Sequence, residues 1–193
     1  WSSATPYDDP NARVTAMEVH NGEIYIAGWF SQVGGIVASK IAKWDGTTWS
    51  TVGSGLDFGG GTGAAPRKLH SSNGILYAIA GNSTLYFFDG IDWINTNLTG
   101  VWGIETYGSG IMISVAEGVY IGSSSTYNLF SSVGGGIATC FKEYNGELYG
   151  GSQAGLFKWD GVVWQDVTGA TVGWATVPYC TAQQIKENVR LYF

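Results

Sequence analysis

Apolar and polar positions alternate along this chain in short runs, and each run stops at a turn pair that contains glycine. The runs include Ile24-Tyr25-Ile26-Ala27, Ile41-Ala42-Lys43-Trp44, Ile75-Leu76-Tyr77-Ala78, Leu85-Tyr86-Phe87-Phe88, Leu148-Tyr149 and Leu156-Phe157-Lys158-Trp159. Runs of this length, rich in β-branched and aromatic residues and bounded by Asn-Gly or Asp-Gly, predict strands joined as hairpins. Asn21-Gly22, Asn73-Gly74 and Asn145-Gly146 form one series of turns. Asp45-Gly46, Asp89-Gly90 and Asp160-Gly161 form another, each flanked by aromatic residues such as Trp44 and Trp49. Both pairs suit a two-residue type I′ turn, whose central positions need positive φ.

The two series alternate, so the chain is built of repeats. Each unit supplies an inner strand (14–19 in the first), an Asn-Gly turn, a second strand (23–27), a variable loop, a third strand (41–44), an Asp-Gly turn and an outer strand from Trp49. A third, degenerate unit runs from Glu105 through Gly108-Ser109 to Tyr127, with Gly122 in the place of the first aromatic and Tyr127 in that of the second. Four-stranded antiparallel meanders at this period predict blades whose faces bury one another. The expected fold is therefore all-β: a five-bladed β-propeller in one domain, 1–193, with blades at 14–56, 64–99, 101–133, 137–170, and 174–193 plus 1–5. Trp1-Ser2-Ser3 matches Trp49-Ser50-Thr51, so the N-terminal strand is expected to close the last blade. A piece of a longer propeller remains the alternative.

The first unit, from Asn21-Gly22-Glu23-Ile24-Tyr25 through Lys43-Trp44-Asp45-Gly46-Thr47-Thr48-Trp49, resembles the kelch-like propeller repeats of secreted and surface-exposed bacterial proteins. Shorter units such as Gly155-Leu156-Phe157-Lys158-Trp159-Asp160-Gly161 are similar to the sensor propellers of bacterial two-component regulators. The Asn-Gly-x-Leu-Tyr motif resembles, more distantly, tachylectin-type five-bladed lectins. These resemblances imply architecture, and none transfers a catalytic residue.

Thirty Gly, nine Trp and eleven Tyr against 12% charged residues fit short strands and tight turns. A net charge of -6 with nine Lys and Arg spread thinly leaves no basic stripe, which argues against nucleic acid as a partner. No apolar run is long enough for a membrane-spanning helix. The two cysteines, Cys140 and Cys180, invite a disulfide in an extracellular setting; two buried small apolar residues is the preferred reading.

Candidate chemistry is sparse. His20 and His70, the only histidines, are read as turn-flanking surface residues one repeat apart, without ligand-spaced partners. Asp8-Asp9 reads as a solvated turn and Gly59-Gly60-Gly61-Thr62-Gly63 as an inter-blade loop. Asp45, Asp89 and Asp160 are read as turn caps, and Trp49, Trp93 and Trp164 as packing between blades. Asn82 and Asn97 fit the N-glycosylation pattern, relevant to a eukaryotic secretory chain alone. No metal and no cofactor is implied. What remains is recognition: a non-enzymatic extracellular or cell-surface binding module, part of a larger protein or assembly, taking glycan or a protein partner. The expected ligand-binding residues are Trp29, Phe30 and Gln32, an aromatic pair and an amide in the longest variable loop. The rival reading is a glycosidase-like propeller enzyme, favoured if Glu18, Glu105 and Glu143, taken as one repeated inner-strand position, converge. A propeller fragment of a sensor or viral-particle protein is a further alternative.

Overall fold

The computed structural model describes residues 10–57, 65–116, 118–123, 126–131, 138–152 and 155–167. Within them the chain is all-β, with no helix. The segments assigned above to the closing blade, together with Asp8-Asp9 and Gly59 to Gly63, lie outside the described residues. Two compact units are formed, Trp1–Thr99 and Gly100–Phe193.

The first unit holds two four-stranded antiparallel sheets. One joins β1 (Val14–His20), β2 (Glu23–Gly28), β5 (Ile41–Trp44) and β6 (Trp49–Thr51), in that spatial order. Between β2 and β5 a small separate hairpin pairs β3 (Gln32–Val33) with β4 (Ile36–Val37). The other sheet is a plain meander of β7 (Lys68–Ser72), β8 (Ile75–Ala80), β9 (Thr84–Phe88) and β10 (Trp93–Asn95). The second unit repeats the plan with β11 (Gly103–Tyr107), β12 (Gly110–Val115), β13 (Gly118–Ser123) and β14 (Thr126–Ser131), then β15 (Ala138–Tyr144), β16 (Glu147–Ser152), β17 (Gly155–Trp159) and β18 (Trp164–Asp166). Gly122 and Tyr127 face each other across β13 and β14, as the degenerate repeat predicts.

In each unit the first strands of the two sheets lie side by side, β1 against β7 and β11 against β15. Sheet faces then bury one another. Tyr25, Ala27 and Ile41 pack with Leu69, Leu76, Ala78, Tyr86 and Trp93 in the first unit. Met112 and Val119 pack with Phe141, Leu148 and Trp159 in the second. Each second strand is covered on both faces, so β8 reads Ile75-Leu76-Tyr77-Ala78-Ile79-Ala80 without a polar break. Outer strands such as β6 and β18 are partly exposed and polar. A bulge recurs near the start of β1, between Val14 and Ala16, and at the matching place in β15, between Ala138 and Cys140. Polar contacts also tie the first unit's sheets together: the Thr15 hydroxyl donates to the Pro66 carbonyl, and the Trp93 indole to that of Val52 at 3.3 Å.

The two turn series differ, which corrects the expectation of a common type. Asn21-Gly22, Asn73-Gly74 and Asn145-Gly146 have positive φ at both positions, from 50° to 82°, as type I′ requires. In the Asp-Gly series only the glycines, Gly46, Gly90 and Gly161, have positive φ (102°, 97°, 102°). Trp44 pairs with Trp49 and Trp159 with Trp164, so four residues form each connection. The Asp carboxylate explains the difference, because it takes the two N–H groups that the turn would otherwise satisfy from the backbone.

Cys140 is buried and disulfide-bonded. The preferred reading of it as a small apolar residue is thereby corrected. The chain's other cysteine, Cys180, lies outside the described residues.

Candidate functional site

The Asn-Gly turn sets up a polar trio that recurs in both units. A type I′ turn places Glu23 first in β2, Tyr25 follows on the same face, and Lys43 lies directly across on β5. Lys43 Nζ is 2.9 Å from Glu23 Oε2, and the Tyr25 hydroxyl donates to the same oxygen at 3.4 Å. In the second unit Lys158 reaches Glu147 at 2.5 Å and the Tyr149 hydroxyl donates to Glu147 at 2.9 Å. The Lys158 and Tyr149 hydrogen bonds hold the Glu147 carboxyl below its ordinary value. Burial, with the Glu147 hydrogen bond and charge, pushes the Tyr149 phenol up to about 12. An aromatic residue just before each turn completes the group: His20 meets Tyr25 edge-on at 5.6 Å, and Tyr144 meets Tyr149 at 6.5 Å.

His20 is not a surface residue. It is 5% exposed, its Nδ1 lies 2.9 Å from Ser71 Oγ of the neighbouring sheet, and the Asn21 amide is 3.1 Å from Nε2. Burial lowers its pKa, with Glu23 opposing. His70 is not its repeat either, since it pairs with Tyr77 in mid-strand and so matches Glu18, which pairs with Tyr25. Among the described residues no group of three or more His, Cys, Asp or Glu is placed to hold a metal ion. No helix there is long and apolar enough to cross a membrane.

Three acidic residues cap turns as predicted. Asp45 accepts from the backbone of Thr47 and Thr48 at 2.7 and 2.8 Å, and Asp89 from Ile91 and Asp92 at 2.8 Å each. Asp160 accepts from Val162 and Val163 at 2.8 Å each, and from the Gln165 amide at 2.6 Å. Backbone donors lower all three pKa values. Asp92 ties two sheets together through the Ser54 N–H and hydroxyl at 2.9 and 2.8 Å, close over Gly53. The repeated tryptophans pack against their cross-strand aromatic partners at 5.2 to 5.4 Å.

The loop of Trp29, Phe30 and Gln32 is ordered by the β3–β4 hairpin. Phe30 is fully buried with Ile26, Val33, Ala38 and Ala42 against Trp49, so its ring supports the loop from below. Trp29 is half-buried and its N–H donates to the Arg13 carbonyl at 2.9 Å. Gln32 is exposed, and its backbone is latched by the Asn11 side chain, 3.1 Å from the Gln32 N–H. The surface left to a ligand is thus Gln32 with one side of Trp29.

Glu105 and Glu143 do not share a strand position. Glu105 pairs with Met112, and the residue matching it in β15 is Lys142, which pairs with Tyr149. These two equivalent side chains form an ion pair of 3.4 Å across adjacent inner strands. Glu143 sits one residue further on, hence on the opposite face, and is exposed. Strand alternation therefore keeps Glu105 and Glu143 apart. Glu18 belongs to the first unit, where its carboxylate accepts from the Val19 N–H at 3.0 Å.

Glu143 instead borders a depression of about 450 Å³ over the turn ends of β15 to β18, lined by Tyr107, Glu147, Lys158, Trp159 and Asp160 among others. Sequence reasoning missed it. The signal lay in Glu143 and Glu147 flanking one Asn-Gly turn while Asp160 caps the next.

No protein-family model and no curated protein matches this chain. Among solved structures it is similar to two computationally designed proteins. Ika4 superposes with a TM-score of 0.52 at 12% identity, over 81% of this chain and 98% of its own. Ika8 superposes with a TM-score of 0.50 at 12% identity, over 76% of this chain, which spans 45% of Ika8's length. At such identity the likeness concerns the path of the backbone alone.

Proposed function

We propose that the chain is a five-bladed β-propeller serving as a non-enzymatic binding module of an extracellular or cell-surface protein, recognising glycan or a protein partner. One observation carries this reading. Acidic groups of the repeat are consumed by the frame: Asp45, Asp89 and Asp160 by turns, Glu23 and Glu147 by lysines, Glu105 by Lys142. Chemistry on such a frame is left to the surfaces between turns, where recognition needs only shape, aromatic area and hydrogen-bonding groups. Side-by-side inner strands and mutually buried sheet faces support the blade arrangement, and the Cys140 disulfide supports an oxidising compartment. The resemblance to kelch-like and sensor repeats points the same way.

The test is a glycan and surface-protein array probed with the intact chain, Gln32→Ala and Trp29→Ala, with melting curves in parallel. Saturable binding, weakened in Gln32→Ala at an unchanged melting temperature, is the expected result. Steady release of nitrophenol from aryl glycosides would replace the proposal by the enzymatic one.

A further inference from the structure

The depression of the second unit has one acceptor left over. Its Asp160 carboxylate is engaged by the N–H groups of Val162 and Val163 and by Gln165. Its Glu147 carboxylate holds Lys158 and Tyr149. Glu143 is exposed, and its carboxylate has no partner among the described residues. Three carboxylates therefore line the depression with a single lysine that is already committed, and it carries net negative charge on a chain of net charge -6.

The rest of the lining is apolar or aromatic. Tyr107, half-buried at the end of β11, brings an aromatic ring to the depression. Beyond Gly161 the same turn continues into Val162 and Val163, which are 78% and 51% exposed. The matching turn of the first sheet carries Thr47 and Thr48 and that of the second Ile91 and Asp92, so only here are both turn positions apolar. An unspent carboxylate and an aromatic ring in the lining, with two exposed valines next along the turn from Gly161, match a side chain with a cationic head and an aliphatic stem.

We infer that the depression receives a lysine or arginine side chain of a protein partner, with Glu143 as the counter-charge, Tyr107 against the cation and Val162 and Val163 against the stem. This rests on the binding-module reading and gives that module a site of its own in the second unit, for a basic protein surface, in addition to the loop of Trp29 and Gln32. A neutral sugar would make little use of net negative charge beside exposed valines, so glycan becomes an outcome of the test.

The experiment is fluorescence anisotropy of the full chain with a labelled Arg-Gly repeat peptide, its Gln-Gly counterpart and a neutral labelled oligosaccharide. Glu143→Gln is compared with Glu18→Gln, which removes the same charge in the first unit. Expected are saturable binding of the Arg peptide that weakens as salt is raised, and a loss of at least about threefold in Glu143→Gln with Glu18→Gln unchanged. Equal losses in both variants would mean diffuse charge attraction and overturn the inference, as would equal binding of the Gln peptide. Binding of the oligosaccharide alone would overturn it while leaving the binding-module reading intact, and absence of every ligand from both this assay and the arrays would remove both. Val162→Ser, at an exposed turn position, supplies a second variant, expected to weaken the Arg peptide without moving the melting temperature.

Discussion

At the scale of single residues, Asp and Asn have separate tasks here although both precede glycine in turns. Asn21 and its repeats take left-handed backbone themselves, whereas Asp45 and its repeats keep negative φ and offer a carboxylate to two N–H groups. The repeated spacing made the capping role legible. Turn type was not, because the choice between backbone and side-chain acceptors is settled by local competition that the Asp-Gly pair alone does not reveal. Those N–H donors depress the pKa of Asp45, Asp89 and Asp160 in the folded chain. Groups with depressed folded values stabilise the fold above the unfolded carboxylate value and lose that contribution as pH falls toward the folded one. The melting temperature should accordingly fall on acidification below about pH 4, and Asp89→Asn with Asp160→Asn should flatten that slope. Tyr149 supplies the opposite sign. Its phenol is raised to about 12, so its contribution is complete below the unfolded value near 10 and disappears as pH climbs to 12. Absorbance titration of the phenols should resolve this late group, and Glu147→Gln should bring its midpoint down. His20 was misread because a local pattern shows the turn beside it but not Ser71, which a different sheet brings to it.

At the scale of elements, the β3–β4 hairpin separates the first unit from its repeats, and its sequence signal was the pair Gly34-Gly35. Both glycines have positive φ, and a Cβ on Gly34 would come within 2.2 Å of the Trp49 ring. Gly22, by contrast, has positive φ with open space around the missing Cβ. Gly22→Ala should therefore cost about 1–2 kcal/mol from backbone conformation alone. Gly34→Ala should cost about 1–3 kcal/mol more, since the hairpin must lift off Trp49. Chemical denaturation of the two variants side by side measures the difference. Phe30→Ala should exceed Gly22→Ala, at about 3–5 kcal/mol, because a fully buried ring leaves a cavity among Ile26, Val33 and Ala42. A Phe30→Ala variant with an unchanged denaturation midpoint would contradict that placement. Strand order and most strand bounds were legible, because Asn-Gly turns fix which strands are neighbours. The offset between Glu143 and Glu105 was not, because a one-residue slip in a degenerate unit moves a side chain to the other face.

At the scale of the whole molecule, the repeat was legible since three repeats carry both turn series and the degenerate one keeps their spacing, while the way sheets meet depends on contacts between residues distant in sequence. Cys140 shows the limit. It occupies the same place after a bulge as Ala16, so the repeat pattern reads it as a small core residue. Its disulfide is invisible to that pattern, because two cysteines carry no spacing rule for whether they meet. The bond constrains the unfolded chain, a stabilisation of about 2–4 kcal/mol in typical cases. Reduction should therefore lower the melting temperature by roughly 10 °C for a chain of this size. Thiol counting under denaturing, non-reducing conditions should find no reactive thiol, and two after reduction. The same measurement bears on the proposed closed propeller. If the sheets of residues 1–99 and 100–193 are blades of one ring, calorimetry of the oxidised chain should show a single cooperative transition, with calorimetric and van't Hoff enthalpies equal. Two separable transitions, only one of them sensitive to reduction, would mean that the two units fold independently and that the ring is not closed.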